Sequence, residues 1–502
     1  MADPVDLLII GGGVNGAGIA RDAAGRGLSV ILCEKDDLAQ GTSSRSGKLV
    51  HGGLRYLEYY EFRLVREALI EREILLESAP HIIWPMRFVL PHSPDDRPAW
   101  LVRLGLFLYD HLGGRRRLPG TRSLNLHTAP EGAPVKPEFV KGFEYSDCWV
   151  DDARLVVLNA LAAKELGADI RTRTACVSAR REGGLWKIEL SDAVSGIKSE
   201  VTARALVNAA GPWVNDVVGR VAGQNSSHSV RLVKGSHIIV PKFWEGRHAY
   251  LVQNSDKRVI FINPYQNDLA LIGTTDIPYE GRAEDVAAEA SEVDYLIGAV
   301  NRYFKRQLQR GDVIHTFSGV RPLYDDNADN PSAVTRDYEF ELDAPTGGAP
   351  MLSVFGGKIT TFRKLSEHAL DRLKPFFPAM KAEWTAMSHL PGGDIANADF
   401  EQFLGDLRAE HPWLPASLAK HYGRLYGTRA AAVLDGAVSV GDLGQKFGPD
   451  FFEREALYLM TAEWARSAED ILQRRTKHGL HMSPAEHKAF EDWIAKRMAK
   501  AA

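Results

Sequence analysis

Residues 5–27, VDLLIIGGGVNGAGIARDAAGRG, constrain the fold more than any other stretch. Val5, Leu7, Leu8, Ile9 and Ile10 form the short apolar run that a buried parallel strand needs. Gly11, Gly13 and Gly16 follow as G-x-G-x-x-G. Gly11 permits a tight turn, Gly13 lets backbone N–H groups approach a pyrophosphate, and Gly16 lets the next helix sit close to the strand. The Ala-rich residues 16–26 predict that helix, whose N-terminus offers N–H donors and partial positive charge to a diphosphate. A second apolar run, residues 28–33, ends in Glu34, 18 residues past Gly16. A carboxylate near that spacing meets a ribose hydroxyl, which favours FAD or NAD over NADP. Three glycines alone are a weak signal; strand, helix and acid in this order make it specific.

A chain of 502 residues is too long for one core, so two or three domains are expected. Its 61 basic and 65 acidic residues leave a net charge of −4, and no global field favours nucleic acid. The three cysteines, Cys33, Cys148 and Cys176, form no C-x-x-C and no Cys/His ligand spacing. Neither a disulfide framework nor a zinc site is therefore expected. The start, MADPVDLL, has acids where a secretory signal carries basic residues, and no apolar run is long enough to span a bilayer. The expectation is a chain that stays in the cytoplasm, in solution or on a membrane surface.

Residues 40–47 read as a hydroxyl-rich loop that passes the diphosphate. Thr42, Ser43, Ser44 and Ser46 offer hydroxyls and backbone donors, with Arg45 and Lys48 adding positive charge. His51-Gly52-Gly53-Leu54-Arg55-Tyr56 then brings together an imidazole, two glycines that let backbone approach a flat ring, a guanidinium and a phenol. Arg55 has the geometry to pair bidentately with a phosphate or carboxylate. Residues 60–79 predict a helix. Residues 100–112 form a short apolar segment before Arg115, Arg116 and Arg117. It reads equally as an interfacial segment on anionic lipid and as a core helix with a solvated basic turn.

Asp151 and Asp152 open a helix over 153–166, where capping explains them better than catalysis. A strand over 169–177 and a hairpin over 184–203 follow. Residues 205–210 predict a buried strand that ends at Ala210 and Gly211, the carboxyl-edge position where α/β sheets bind ligands. From 231 the texture changes to strands over 234–240, 250–254, 259–264 and 269–274, a mixed or antiparallel sheet inserted into the first domain. Lys234-Gly235-Ser236-His237 and Gly273-Thr274-Thr275-Asp276 are its polar corners, and Arg321 sits in a Gly/Pro turn. Residues 351–355 lead into Gly356-Gly357-Lys358-Ile359-Thr360 and a helix to about 373, repeating the opening pattern. That helix start suits the electron-rich edge of a reduced flavin. Residues from about 396 are helical by pattern, with Trp464, Leu472 and Trp493 as core or interface anchors.

With these pieces placed, the chain resembles the bacterial aerobic FAD-dependent sn-glycerol-3-phosphate dehydrogenases, within the glycine-oxidase-like flavoproteins. The likeness rests on IGGGVNGAGIARDAAGRG (10–27), TSSRSGKLVHGGLRYLE (42–58), GFEYSDCWVDDARL (142–155), NAAGPWV (208–214) and VKGSHIIVP (233–241). GTTD (273–276), SGVRPL (318–323), VFGGKITTFRKL (354–365), RLYGTRA (424–430) and EWARSAEDILQRRTKHG (463–479) extend it over nearly the whole chain. One departure is visible: Phe362 stands where the family usually has Tyr, a change read as packing.

The resemblance implies an α/β fold. A Rossmann-like FAD-binding domain (1–80, 143–220 and 351–375) carries an inserted mixed-sheet substrate domain (81–142 and 221–350) and a C-terminal α-helical cap (390–502). It also implies non-covalent FAD, oxidation of glycerol 3-phosphate to dihydroxyacetone phosphate, and delivery of electrons to ubiquinone. A homodimer on the cytoplasmic face of the inner membrane, peripheral on anionic lipid, completes the picture. Asn15, Leu49, His51, Gly52, Ala210, Gly211, Gly357, Lys358, Ile359 and Thr360 join the glycines, Glu34 and the 42–48 loop at the cofactor. Arg55 and Arg321 are the expected phosphate clamp, with Tyr56, His237 and Lys358 as further substrate contacts. His51 or His237 fits a general base better than an unperturbed lysine. Lys358 serves as base only if burial and neighbouring arginines lower its pKa, and the choice among the three stays open. The rivals are an O2-using glycerol-3-phosphate oxidase, an amine or amino-acid oxidase, and a non-enzymatic nucleotide-binding protein.

Overall fold

Residues 3–93, 97–114, 117–325 and 337–501 are described by the computed structural model; Arg115 and Arg116 of the basic cluster lie outside them. The opening strand Val5–Ile10 sits inside a sheet ordered Tyr338–Asp343, Met351–Gly356, Lys198–Asn208, Val5–Ile10, Val30–Cys33, Asp169–Arg171. All neighbours pair in parallel except the edge strand Tyr338–Asp343. Successive side chains of a strand point to opposite faces, and both faces here are covered. Leu7 and Ile9 pack with Ala17, Ala20 and Ala23 of helix Val14–Gly25, with Val156 and Ala160 of Asp152–Glu165, and with Leu365 and Ala369 of Phe362–Leu373. Leu8 and Ile10 pack with Trp186, Ile188 and Leu190 of strand Leu185–Asp192. Phe362 is buried against Leu155, Leu158 and Leu390, and a methyl at Gly18 would press on its ring. This is the packing role the sequence suggested.

The second sheet is ordered Ile277–Pro278, Val230–Pro241, Leu269–Gly273, Val259–Tyr265, Ala249–Gln253, Ile83–His92, Lys141–Val150, Leu49–Val50. Strand His315–Tyr324 lies along the other side of Val230–Pro241. Helix Ala290–Tyr303 covers one face through Leu296 and Val300, against Ile238, Ile260 and Ile262. Helices Phe62–Ser78 and Ala99–Leu112 cover the other through Val65, Leu69 and Leu106, against Phe88, Tyr145 and Leu271.

Four boundaries differ from the sequence reading. Lys141–Val150 pairs along its whole length with Ile83–His92, so residues 143–150 belong to the second sheet. Tyr338–Asp343 pairs with Met351–Gly356 and belongs to the first. The hairpin and buried strand read over 184–210 share one long strand, Lys198–Asn208. Its first half runs antiparallel to Leu185–Asp192 and its second half parallel to Val5–Ile10. The strand read over 169–177 is interrupted, with Asp169–Arg171 pairing to Val30–Cys33 and Thr174–Glu182 turning away to pair with Leu185–Asp192.

The C-terminal domain has its own apolar core, including Leu472 and the flank of Trp493, while Trp464 packs on the first domain instead. Buried ion pairs fasten it there. Arg154 pairs with Glu463, both wholly inaccessible. Asp37 accepts from Arg474 at 2.8 Å and from Arg475 at 2.7 and 2.8 Å. Lys477 reaches Asp151, and Arg173 reaches Asp470 at 2.7 Å. Asp151 also accepts from the Arg154 N–H at 3.1 Å, the helix-capping role expected of it. Such pairs specify where two surfaces meet, and losing one partner strands a buried charge. Glu463→Gln is therefore expected to cost about 3–5 kcal/mol, read as a lower denaturant midpoint; an unchanged midpoint would contradict the role given to this pair.

Candidate active site

The parallel strands end side by side at Ile10, Cys33, Asn208 and Gly356, and the second sheet faces that edge. Between them lies one cavity of about 1050 Å³. Gly11 turns the chain out of the first strand at φ +112°, and a methyl there would stand 2.5 Å from the Ala209 carbonyl oxygen. Gly16 lies against the Gly11 carbonyl with no room for a side chain, so it packs under the turn instead of lining the cavity. At the cavity's outer end Glu34 lines the wall and accepts from the Gly12 N–H at 2.6 Å and the Asp36 N–H at 2.8 Å. Burial raises its pKa above the usual carboxylate range, opposed by those two donors.

The loop after Glu34 differs in detail from expectation. Thr42, Ser43, Ser46 and Leu49 line the cavity; Ser44 and Lys48 do not. Lys48 is turned inward onto Asp152 at 2.8 Å and the Ser44 carbonyl at 3.1 Å. The hydroxyls are engaged too. Thr42 donates to the Val320 carbonyl at 2.7 Å, Ser46 donates to Asp152 at 2.7 Å, and Ser43 accepts from the Val14 N–H at 3.0 Å. A polar loop wedged between two sheets must satisfy its own groups, and these side chains stitch the sheets together.

Asn15 joins the first turn to the last, donating to the Gly356 carbonyl at 3.2 Å, while its Oδ1 is buried with no hydrogen-bond partner among the described residues. Gly357, at φ +103°, leaves space that a methyl would fill against Leu365 and Asn15. Gly13, Ala210, Gly211, Ile359 and Thr360 line the same stretch. Gly52 does not; its N–H donates to the Tyr109 hydroxyl at 2.7 Å, behind the wall.

His51, Arg55, Tyr56, His237, Arg321 and Lys358 all line the cavity. The His51 ring meets Phe261 edge-on at 5.9 Å, and the His51 backbone N–H donates to the Thr360 hydroxyl at 3.2 Å. Arg55 donates to the Tyr59 hydroxyl at 3.3 Å. The Lys358 ammonium lies 4.0 Å above the Tyr56 ring. His237 stacks on Phe317 at 4.8 Å and fills the space over Gly273. Both its ring nitrogens are buried without a hydrogen-bond partner among the described residues. Burial, with the Arg321 and Lys48 cations, pushes its pKa down to about 3, so the imidazole is neutral. Arg321 donates to Asp276 at 2.7 Å, to Thr274 at 3.2 Å and to the Thr275 carbonyl at 3.1 Å. Gly235 on the neighbouring strand makes room for it.

Thr274 and Asp276, which the sequence reading left as a polar corner, hold Arg321, and Phe317, which it did not single out, stacks on His237. The signal lay in GTTD and SGVRPL, which antiparallel register brings to one place.

The family described as FAD dependent oxidoreductase matches residues 6–363, and the C-terminal domain of alpha-glycerophosphate oxidase matches residues 384–502. The chain belongs to the FAD-dependent oxidoreductase family. It is 68% identical to D-erythritol 1-phosphate dehydrogenase of Brucella abortus, over 98% of this chain and 99% of that protein. It is 54% identical to glycerol-3-phosphate dehydrogenase of Pseudomonas aeruginosa, over 97% and 94%. Its fold matches glycerol-3-phosphate dehydrogenase from Bacillus halodurans complexed with FAD, with TM-score 0.78 and 27% identity over 99% and 91% of the two chains. The family resemblance read from the sequence and the FAD cofactor both stand. The cavity fits that cofactor: a glycine turn at one end, an acid beyond it, and an orphaned Asn15 oxygen at the second turn. The chain is therefore a flavoprotein of this family.

Gly11→Ala forces an L-residue to φ +112° and a methyl onto the Ala209 carbonyl, closing the turn against the diphosphate. The variant should purify folded by circular dichroism but without the 450 nm flavin band. Full flavin occupancy would refute this account of the turn.

Proposed function

We propose that this flavoprotein oxidises a secondary alcohol of a short polyol phosphate, with D-erythritol 1-phosphate preferred over glycerol 3-phosphate. The observation that carries the reading is a single cavity lined by the guanidinium groups of Arg55 and Arg321 and by the buried, neutral imidazole of His237. The preference for the four-carbon phosphate rests on the 68% identity to the erythritol enzyme, against 54% to the glycerol one. Glycerol 3-phosphate, which the sequence resemblance suggested, stays as the second reading on the strength of the latter.

When bound, FAD supplies the two-electron acceptor for the hydride that leaves the alcohol carbon. The residues do the rest. Arg55 and Arg321 bind the phosphate dianion, and Asp276 holds the Arg321 fork in one orientation, so less freedom is lost when the anion arrives. His237 takes the hydroxyl proton as the C–O bond becomes C=O. Neutrality in the free enzyme leaves its lone pair available, and a dianion entering beside Arg321 offsets the positive field that depresses its basicity. Lys358 places a positive charge near the developing alkoxide. His51, backed by Phe261 and Thr360, positions the wall opposite.

Ubiquinone and an anionic lipid surface complete the proposal. No helix among the described residues is long and apolar enough to cross a membrane. Helix Ala99–Leu112 instead exposes Trp100, Leu104 and Phe107 on one face, beside exposed Tyr59, Tyr60 and Phe62. Leu104, Tyr59, Tyr60 and Phe62 also line the cavity. An apolar rim at the cavity mouth suits a site that docks on lipid and hands electrons to a quinone dissolved there. An O2-using oxidase would instead release hydrogen peroxide.

Anaerobic D-erythritol 1-phosphate should bleach the 450 nm band of the holoenzyme at a lower concentration than glycerol 3-phosphate. Arg321→Ala should raise KM by about 10–100-fold with flavin retained. No bleaching by either phosphate, or an unchanged KM, would sink the reading. Trp100→Glu with Phe107→Glu should abolish flotation with phosphatidylglycerol vesicles while sparing turnover with a soluble dye acceptor. Flotation equal to wild type would rule the apolar rim out as the docking face.

A further inference from the structure

The core of the C-terminal domain contains a cluster of two imidazoles and a carboxylate. Helix Ala416–Tyr426 contributes His421, helix Glu453–Ala462 contributes Glu455, and the turn His478–Leu480 contributes His478. Nε2 of His421 lies 2.8 Å from Oε1 of Glu455 and 3.0 Å from Nε2 of His478. Nε2 of His478 lies 3.5 Å from Oε2 of Glu455. The Glu455 side chain is wholly inaccessible, that of His478 is 9% exposed and that of His421 16% exposed.

Protons serve this arrangement poorly. A ring nitrogen carries either a hydrogen or a lone pair. With a hydrogen on His421 Nε2, that single hydrogen must serve both the carboxylate and the second imidazole. With a lone pair there, the nitrogen faces a carboxylate oxygen with nothing between them. Oε2 of Glu455 and the buried hydroxyl of Tyr422 have no hydrogen-bond partner among the described residues. A cation at the common centre accepts both imidazole lone pairs and the carboxylate at once. Ligands at about 2.0–2.2 Å from one ion stand about 3–3.5 Å apart, and the three pairs here lie at 2.8, 3.0 and 3.5 Å, within a few tenths of an ångström of that spacing. The support around them is also that of a metal site. The Tyr426 hydroxyl donates to Oε1 of Glu455 at 2.7 Å, and Phe451 packs on the His478 ring at 4.8 Å.

We propose that His421, Glu455 and His478 bind one divalent transition-metal ion. An N2O donor set with two imidazoles fits zinc best. Its role is structural. His478 directly follows Lys477, and the segment 463–477 carries Glu463, Arg474, Arg475 and Lys477 to their partners in the cofactor domain. The ion ties the end of that segment to two helices of its own domain. The proposal is independent of which polyol phosphate is oxidised.

Tag-free holoenzyme, dialysed against metal-free buffer, is analysed by inductively coupled plasma mass spectrometry. Zinc equimolar with the chain is expected, as is rebinding of added zinc chloride after chelation. Chelation should also lower the Tm while leaving the flavin in place. Cobalt(II) in the stripped site should give d–d bands to the red of the flavin absorption. His421→Gln and Glu455→Gln should each lose the metal and keep the flavin spectrum. If neither variant folds, the wild-type zinc and cobalt titrations decide. Wild-type protein that neither contains nor takes up zinc or cobalt overturns the proposal, as does metal content unchanged in both variants.

Discussion

The parallel pairing of three strands drawn from distant parts of the chain is the constraint on which the rest depends. Val5–Ile10, Lys198–Asn208 and Met351–Gly356 lie side by side, so their carboxyl ends bring Gly11, Ala209 and Gly356 to one edge. Asn15 seals that edge with a hydrogen bond to Gly356. Everything between those strands has to leave the first sheet and return to it. The second sheet is the form those excursions take, and the cavity is the space left where it faces the glycine edge. The polar corners of Val230–Pro241 and His315–Tyr324 therefore meet the cofactor region by topology, not by sequence proximity.

The site's charges are arranged around neutrality. Arg321 is answered by Asp276 and Lys48 by Asp152, and His237 is held uncharged by burial and by those two cations. In the proposed reaction a dianionic substrate would meet an Arg321 already oriented by Asp276 and a His237 already deprotonated. The C-terminal domain applies the same logic to stability. Its buried arginines and lysine answer Asp37 and Asp151, which flank the cofactor-binding loop and the helix that pairs with Lys48. Net charge for the whole chain conceals this local pairing.

What was legible in the sequence was local. Strand, glycine turn and helix sit within residues 5–27, and the second glycine turn repeats the pattern at 351–363, so each could be placed without knowing the rest. The long ordered series of motifs carried the family and its cofactor. The partners of polar side chains were not legible. Nothing near Lys48 in the sequence says that it turns to Asp152 and not to a diphosphate, nor that Thr42 bonds the Val320 carbonyl, because such choices depend on which strands become neighbours. Lys141–Val150 was misplaced for the same reason: its apolar run suits either sheet, and only its pairing with Ile83–His92 decides. Likewise His421, Glu455 and His478 are too dispersed for any ligand-spacing motif.

The most direct test of the central claim is a crystal structure of the holoenzyme with substrate, trapped with the flavin reduced. The account predicts phosphate density between Arg55 and Arg321, with the reacting oxygen within hydrogen-bond reach of a His237 ring nitrogen. Phosphate bound elsewhere in the cavity, with His237 turned away from the reacting carbon, would contradict it.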